Sequence, residues 1–206
     1  MKYNWLIFGL LLVLGTSPLF SQTKKFKIHT VAFYNFENLF DTINDPDTFD
    51  EEWTPDGLQR WTKAKYQTKL HHLAQVLSEI GTPENKELPT FIGGCEIENR
   101  AVLEDLIQQS QLQEAEYGII HFDSPDKRGI DVALLYRKKW FRPTNFSSIP
   151  LYLNATPESE KTNTAASLAE KTEDDVPILA PTKRIYTRDQ LLVSGYLEGE
   201  EIHQIG

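Results

Sequence analysis

Polar side chains follow an apolar run in the segment YNFENLFD, Tyr34 to Asp41. Asn35 ends a predicted strand, so its amide oxygen can point into a crevice as a neutral ligand or orienting group. Glu37, Asn38 and Asp41 follow in the loop. Taken alone the segment is weak evidence, because Asn and Asp after a strand are more often turn formers.

A second polar segment is GGCEIENR, Gly93 to Arg100. Glu96 stands at the carboxyl end of a predicted buried strand, and the two glycines before it allow close approach of a ligand or another backbone. An ionised carboxylate there needs a partner, and a divalent cation is one candidate. Glu98 and Asn99 both suit the start of a helix, which is a sufficient explanation for them.

Two basic turns, DKRGID at Asp126 to Asp131 and YTRDQ at Tyr186 to Gln190, each place an arginine beside an acid next to a strand. Arg128 and Arg188 could grip a phosphate through the planar fork of the guanidinium. The alternative is an Arg–Asp surface pair of little energetic consequence, which is the better interpretation of either turn alone.

The histidines do not form a site by spacing. His29, His121 and His203 fall on predicted strands, where they are more often packed than catalytic, and His71 and His72 are adjacent in a predicted helix. No H-x-x-x-H, G-x-S-x-G or G-x-x-x-x-G-K-[ST] pattern occurs, so a serine hydrolase or a P-loop enzyme is not supported.

The elements that must position these residues alternate between strands and helices. Apolar periodicity with Leu70, Leu73, Leu77 and Ile80 predicts one helix, with Thr54 and Pro55 at its start and Gly81 at its end; Asn99 caps a second. Predicted strands span 27–34, 90–97, 117–122, 130–136, 191–197 and 201–205, the last two as a hairpin, with a polar insert at about 154–176. This order predicts an α/β sandwich.

The amino terminus predicts export. Lys2 precedes an uncharged run from Trp5 to Leu14, which suits a signal peptide over residues 1–22 and is short for a membrane span. A retained anchor is the alternative; after processing we expect no stable membrane span. The 206 residues carry a net charge of −9, which disfavours charge-driven binding to DNA or anionic lipid, and Cys95 is the single cysteine.

Five segments in register resemble the endonuclease/exonuclease/phosphatase superfamily, and within it a secreted, Bacteroidetes-like bacterial branch. They are VAFYNFENLFD, the Thr-Pro-Asp-Gly-Leu-Gln-Arg-Trp stretch, GGCEIENR, DKRGIDVALLYR and YTRDQLLVSGYL. The resemblance covers nearly all of 27–197 except the polar insert.

The resemblance implies a four-layered α/β sandwich that hydrolyses phosphate esters with Mg²⁺, or with Mn²⁺ or Ca²⁺. It implies that Glu96 binds the metal, that Asn35 positions the metal or the attacking water, and that Arg188 contacts a phosphate. Arg128 is a further candidate for substrate contact. The substrate stays open between nucleic acid, phospholipid head groups and small phosphate esters, and no protein partner is evident.

Complete members of the superfamily continue with an Asn-His-Trp-Pro-Ser-Arg-like segment, an Asp-x-Asn motif and a terminal Asp-His. None of these occurs here, where the sequence ends HQIG at Gly206. We therefore expect 26–206 to be the N-terminal part of such a domain, inactive by itself. The rival hypothesis is a non-catalytic secreted binding module, or remnant, of the same fold.

Overall fold

The computed structural model describes residues 27–154, 182–184, 187–197 and 204–205. The predicted signal peptide, most of the predicted polar insert and the predicted turn at 198–200 lie outside the described residues. In the described part of the chain, no helix combines the length and the apolar composition that a bilayer crossing needs.

Nine strands and two α-helices follow one another in the described residues. In chain order they are β1 (Val31–Leu39), α1 (Lys63–Glu79), β2 (Phe91–Ile97), α2 (Arg100–Ile107), β3 (Tyr117–Phe122), β4 (Asp131–Arg137), β5 (Phe141–Ile149), β6 (Tyr152–Asn154), β7 (Thr182–Arg184), β8 (Gln190–Leu197) and β9 (Gln204–Ile205). Short 3₁₀ turns at Glu51–Trp53 and Gln113–Ala115 complete the set. The predicted α/β class is confirmed.

The first sheet has the strand order β1-β2-β4-β3. β1 and β2 are parallel, whereas β4 runs antiparallel to both of its neighbours. A second, antiparallel sheet has the order β5-β8-β9, and β6 pairs with β7. Because β1 and β2 are parallel, the polar residues at their carboxyl ends meet at one edge of the first sheet.

The core lies between the two helices and one face of the first sheet. Fully buried Leu70 and Leu77 of α1 and Leu103 of α2 pack there with Ile92 of β2. The other face of the first sheet meets the second sheet through aromatic pairs, of which Phe91 and Phe141 are 4.8 Å apart and Phe122 and Phe146 are 5.9 Å apart. The described residues thus form three layers: helices, first sheet and second sheet.

The predicted start of α1 is wrong, although its predicted end is confirmed. Thr62, not Thr54, is the N-cap, and its side chain accepts a hydrogen bond from the Lys65 backbone N–H. Thr54 lies in a tight turn in which the Gly57 N–H donates to the Thr54 carbonyl, because the Pro-Asp-Gly sequence that follows favours a turn. Gly81 follows the helix with φ +79°, the left-handed conformation that favours glycine.

Strand β1 extends five residues beyond its predicted end at Tyr34. Its polar residues Asn35, Glu37 and Asn38 stay in the strand because the ladder to β2 continues through an irregularity between Asn35 and Leu39. Strand β5 was not predicted at all, since Pro143 and its polar neighbours obscure the alternation. Its pairing with β8, with a register shift after Pro143, makes it a strand.

Candidate functional site

Strands β1 and β2 both lose their regular pairing at their carboxyl ends. Asn35 pairs with Cys95, and the register shifts immediately afterwards in both strands. Glu37, Asn38 and Glu96 have φ values of +53°, +59° and +62°. This left-handed backbone costs a residue other than glycine about 1–2 kcal/mol. Glu96 follows Cys95, the residue that pairs with Asn35, and therefore lies beside Asn35 at the irregular end of β2.

Asn35 is solvent-exposed, and its Oδ1 accepts a hydrogen bond of 2.7 Å from the Glu37 backbone N–H. The irregular end of β1 is also tied to α1, because the Lys69 ammonium donates to the carbonyl oxygens of Glu37 and Asn38. Burial lowers the pKa of Lys69, against the opposing effect of the Glu37 and Glu96 carboxylates. The Asn35 side chain is therefore held at a fixed point of the sheet edge.

Two glycines precede Glu96, and both lie against aromatic side chains of β1. A Cβ on Gly93 would lie 2.8 Å from the Phe33 ring, and one on Gly94 would lie 2.9 Å from the Phe36 ring. The missing side chains make room for these rings, and Gly93 also lines the cavity between the two sheets. These contacts fix how closely β1 and β2 pack just before the polar edge.

Arg188 lies against Glu96, although 92 positions separate the two in the sequence. The Nη1 atom of Arg188 is 3.4 Å from Oε1 of Glu96, and the two side chains are 28% and 22% exposed. Glu96 and Arg188 were predicted to act together, and the structure places them in contact. At one sheet edge, the carboxylate can bind a cation and the neighbouring guanidinium can bind an anion.

Arg128 is gripped by its neighbour Asp126. Its Nε and Nη2 atoms lie 3.0 and 2.7 Å from the two Asp126 oxygens. This pairing raises the pKa of the guanidinium, as does the more distant charge of Glu96, and it lowers the pKa of Asp126. Asp126 is 7% exposed, whereas the Arg128 side chain is 60% exposed. Arg128 and Asp126 therefore form the predicted Arg–Asp pair, but with the carboxylate buried rather than at the surface.

A cavity of about 660 Å³ opens between the two sheets beside this cluster. Its lining includes Phe33, Cys95, Val132 and Arg188. Burial raises the pKa of the Cys95 thiol, and the nearby Arg188 charge opposes that effect. A ligand in this partly apolar cavity, in the interior of the sandwich, could therefore reach Arg188.

A second concave region, here named the acidic pocket, has a volume of about 380 Å³. Its carboxylates are Asp41, Asp45, Glu98, Asp123 and Asp131, and among the described residues no lysine or arginine contributes to its lining. Burial, with further contributions from the charges of neighbouring aspartates, raises the pKa of Glu98 to about 8.

The interpretation of Glu98 as a helix-start residue is wrong. The N-cap of α2 is Asn99, whose side chain accepts from the Val102 N–H, as predicted. Glu98 instead accepts a 2.6 Å hydrogen bond from the Asp41 N–H. Sequence reasoning missed this contact because Asp41 lies 57 residues away, and only the acidic character of both segments hinted at it.

His121, Asp123 and Asp131 form a group whose ligand-type atoms all lie within 4.8 Å of one another. The His121 ring is buried, and its Nε2 lies 2.9 Å from Oδ2 of Asp131. Asp131 also accepts from the Ser124 N–H. The three side chains could hold a metal, and in the described structure His121 and Asp131 fix the start of the turn that carries Arg128.

Comparison with protein families gives one match. A family model described as the Endonuclease/Exonuclease/phosphatase family matches residues 30–174. The matched range includes Asn35, Glu96 and Arg128, and Arg188 lies beyond it. No curated protein and no solved structure matches the chain.

Proposed function

The chain belongs to the endonuclease/exonuclease/phosphatase family, and from this premise we propose that it is a metal-dependent phosphoesterase of the nuclease, phosphodiesterase or phosphatase type. Enzymes of this family are in general hydrolases and generally depend on a divalent metal. The observation that carries the proposal is the contact between Glu96 and Arg188, beside Asn35, at the irregular end of β2.

The donor atoms at this edge fit a hard divalent cation. Glu96 offers a carboxylate and Asn35 an amide oxygen, and Mg²⁺ in proteins is commonly held by one or two carboxylates with several waters. Asn35 keeps acceptor capacity, because a carbonyl oxygen has two lone pairs and the Glu37 N–H uses one. A bound Mg²⁺ or Mn²⁺ would polarise the phosphoryl group and neutralise negative charge on its oxygens.

The arginines supply the complementary part of the site. A guanidinium has five N–H donors, and the Nη1 contact of Arg188 with Glu96 uses one of them, so others can bind a phosphate. Two N–H donors of Arg128 bind Asp126, and the others are exposed to solvent. Both can form charge-assisted bonds to non-bridging phosphoryl oxygens. We assign no general base to the residues described.

The proposal is tested on the whole chain in two steps. Melting temperature is first followed while Mg²⁺ or Mn²⁺ is titrated, because a ligand at ten times its Kd stabilises the fold by about 1.4 kcal/mol. Hydrolysis of bis(p-nitrophenyl) phosphate is then measured with and without metal. Metal-dependent hydrolysis supports the enzyme and overturns the expectation that 26–206 is inactive by itself. A metal-induced shift without hydrolysis supports the metal site and agrees with that expectation. No shift at millimolar metal removes the metal assignment and favours the non-catalytic binding module.

Glu96→Gln is the sharpest single variant. It keeps the shape of the side chain but removes the charge that a cation needs, so we expect loss of the metal-induced stabilisation and, if the wild-type chain hydrolyses the ester, at least about 100-fold lower hydrolysis. Glu104→Gln is the matched control, since Glu104 is an exposed partner of Arg100 on α2. An equal metal-induced shift in the two variants would remove Glu96 from the site.

Export completes the proposal. The amino-terminal residues 1–22 have the composition of a signal peptide, and a phosphoesterase outside the cytoplasm would act on external phosphate esters, nucleic acid included. Cell fractionation with amino-terminal sequencing tests this: a periplasmic or extracellular chain that begins near residue 22 supports export. A full-length cytoplasmic chain contradicts it.

A further inference from the structure

Asp126 is buried between the two arginine-bearing segments and binds both. Its Oδ1 accepts from the backbone N–H and Nε of Arg128, at 3.1 and 3.0 Å. Its Oδ2 accepts from Nη2 of Arg128 at 2.7 Å and from the Thr187 hydroxyl at 3.2 Å. Four hydrogen bonds thus converge on one carboxylate, and one of them crosses to a segment 61 residues away.

The Thr187 contact bears directly on Arg188, the next residue. Arg188 is flanked by two anchors, since Thr187 donates to Asp126 and Asp189 accepts from the Ser148 hydroxyl at 3.2 Å. A residue between two fixed neighbours has little freedom of backbone direction. The Arg188 guanidinium is thereby directed to Glu96.

Asp126 is itself held rigidly, so it can serve as a fixed point. Its backbone N–H donates to the Ser124 hydroxyl and its carbonyl accepts from the Gly129 N–H, at 3.3 and 2.9 Å. Ser124 in turn is fixed by the buried Asp131, which accepts from the Ser124 N–H at 2.7 Å. Gly129 has φ +65°, which closes the turn behind Arg128.

We propose that Asp126 is the positioning residue of the site, which joins the Arg128 turn to the Thr187–Asp189 segment and keeps both guanidinium groups on the side of Glu96. The proposal rests on the proposed phosphoesterase function and deepens it, because it names what holds the phosphate-binding groups in place. Asp126 acts through Arg128 and Thr187 and has no contact with the reacting atoms.

A plain surface ion pair would look different. Exposed Arg–Asp pairs contribute little and leave their carboxylates in water, whereas Asp126 is 7% exposed and has all four of its acceptor positions engaged. Its lowered pKa, caused first by the hydrogen bond from Arg128, agrees with a carboxylate that stays ionised. The burial and the second partner, Thr187, are what a positioning role requires.

The test measures the reactivity of each arginine towards phenylglyoxal, by peptide mass spectrometry on the intact chain. In Asp126→Asn, loss of the charge-assisted bonds should raise the rate at Arg128 about fivefold and at Arg188 about twofold. In Thr187→Val, which removes only the hydroxyl, the rate at Arg188 should rise about twofold while Arg128 stays unchanged. Arg142, exposed on β5, is the internal reference.

Matched controls separate positioning from folding. Asp123→Asn removes an equal charge close to the same turn, from a side chain that is 95% exposed, and should leave Arg188 unchanged. An Arg188 rate equal to wild type in both Asp126→Asn and Thr187→Val overturns the proposal. A rise at Arg142 together with a lowered melting temperature in both variants also overturns it, because Asp126 would then only support the fold.

The readout does not depend on catalysis, so failure of the two ideas can be told apart. A wild-type chain that neither binds metal nor hydrolyses esters contradicts the proposed function and leaves the arginine rates interpretable. With an active wild type, Asp126→Asn should raise KM about fivefold with kcat within about twofold, since phosphate binding weakens before chemistry. A fall in kcat at constant KM contradicts the positioning role.

Discussion

Glu96 lies at the end of β2 and Glu98 directly follows this strand, yet the two side chains lie in opposite environments. Glu96 lies against the Arg188 guanidinium, whereas Glu98 enters the acidic pocket, where its pKa is raised to about 8. In a regular strand, residues two apart share one face. The left-handed backbone at Glu96 breaks this alternation and sends the two glutamates to different partners.

The two glutamates differ both in burial and in their charged neighbours. Glu96 faces a cationic group, and we propose it as a metal ligand. Glu98 is surrounded by other acids, and burial first and their charges second raise its pKa.

The largest effect is expected from Asp131, which supports both regions. Asp131→Ala leaves the Ser124 N–H and the His121 ring nitrogen without their acceptor, and each orphaned buried donor costs about 1–3 kcal/mol. We expect the free energy of unfolding to fall by about 2–5 kcal/mol in urea denaturation. Asp123→Ala, at an exposed side chain, should change it by less than about 0.5 kcal/mol. If Asp131→Ala and Asp123→Ala lower the free energy of unfolding equally, the hydrogen bonds of Asp131 are not what supports the two regions.

A medium effect is expected from adding charge to the acidic pocket. Asn99 caps α2 and donates from Nδ2 to Asp41 at 3.2 Å. Asn99→Asp keeps a good N-cap but replaces that donor with a carboxylate, so it should destabilise the fold by about 1–2 kcal/mol at pH 8, and less at pH 5, where Glu98 is protonated.

Asn99→Ser is the control for Asn99→Asp, because serine caps the helix without adding charge. The measurement is the free energy of unfolding of both variants at the two pH values. If Asn99→Asp and Asn99→Ser are equally stable at pH 8, the carboxylates of the pocket do not repel one another as the structure indicates.

The smallest effect concerns Glu98 itself. Between its ordinary pKa of 4.5 and about 8, the folded chain holds a proton that the unfolded chain has released, so stability falls as the pH rises through this window. Glu98→Gln removes this dependence. The full shift corresponds to about 3.5 kcal/mol between pH 5 and pH 8, and solvent screening of the partly exposed side chain reduces the expected gain of the variant over wild type to about 1 kcal/mol. Parallel stability curves for wild type and variant would contradict the raised pKa.

Much of the fold follows from local sequence. The bounds of β3 match the prediction, and those of β2 differ by one residue. Asn99 caps the start of α2 and Gly81 follows the end of α1, as capping chemistry requires. The start of α1 and all of β5 were not predictable in this way. The Thr-Pro pair of a turn resembled a helix start, and β5 owes its form to pairing with β8 across the chain.

Local sequence also predicts only part of the candidate site. Asn35 and Glu96 could be brought together from sequence, because parallel neighbouring strands end at the same edge. The contacts of Asp126 with Thr187 and of Glu98 with Asp41 span 61 and 57 residues and depend on irregular backbone. No periodicity encodes such contacts.

Cys95 allows this edge of the sheet to be labelled with a thiol-reactive probe. It is the single cysteine of the chain, pairs with Asn35 across β1 and β2, and lines the cavity that Arg188 enters. Its raised pKa slows thiol reagents at neutral pH, so labelling proceeds best in mildly alkaline buffer. One fluorophore there, with no competing thiol, would report the arrival of a ligand in real time.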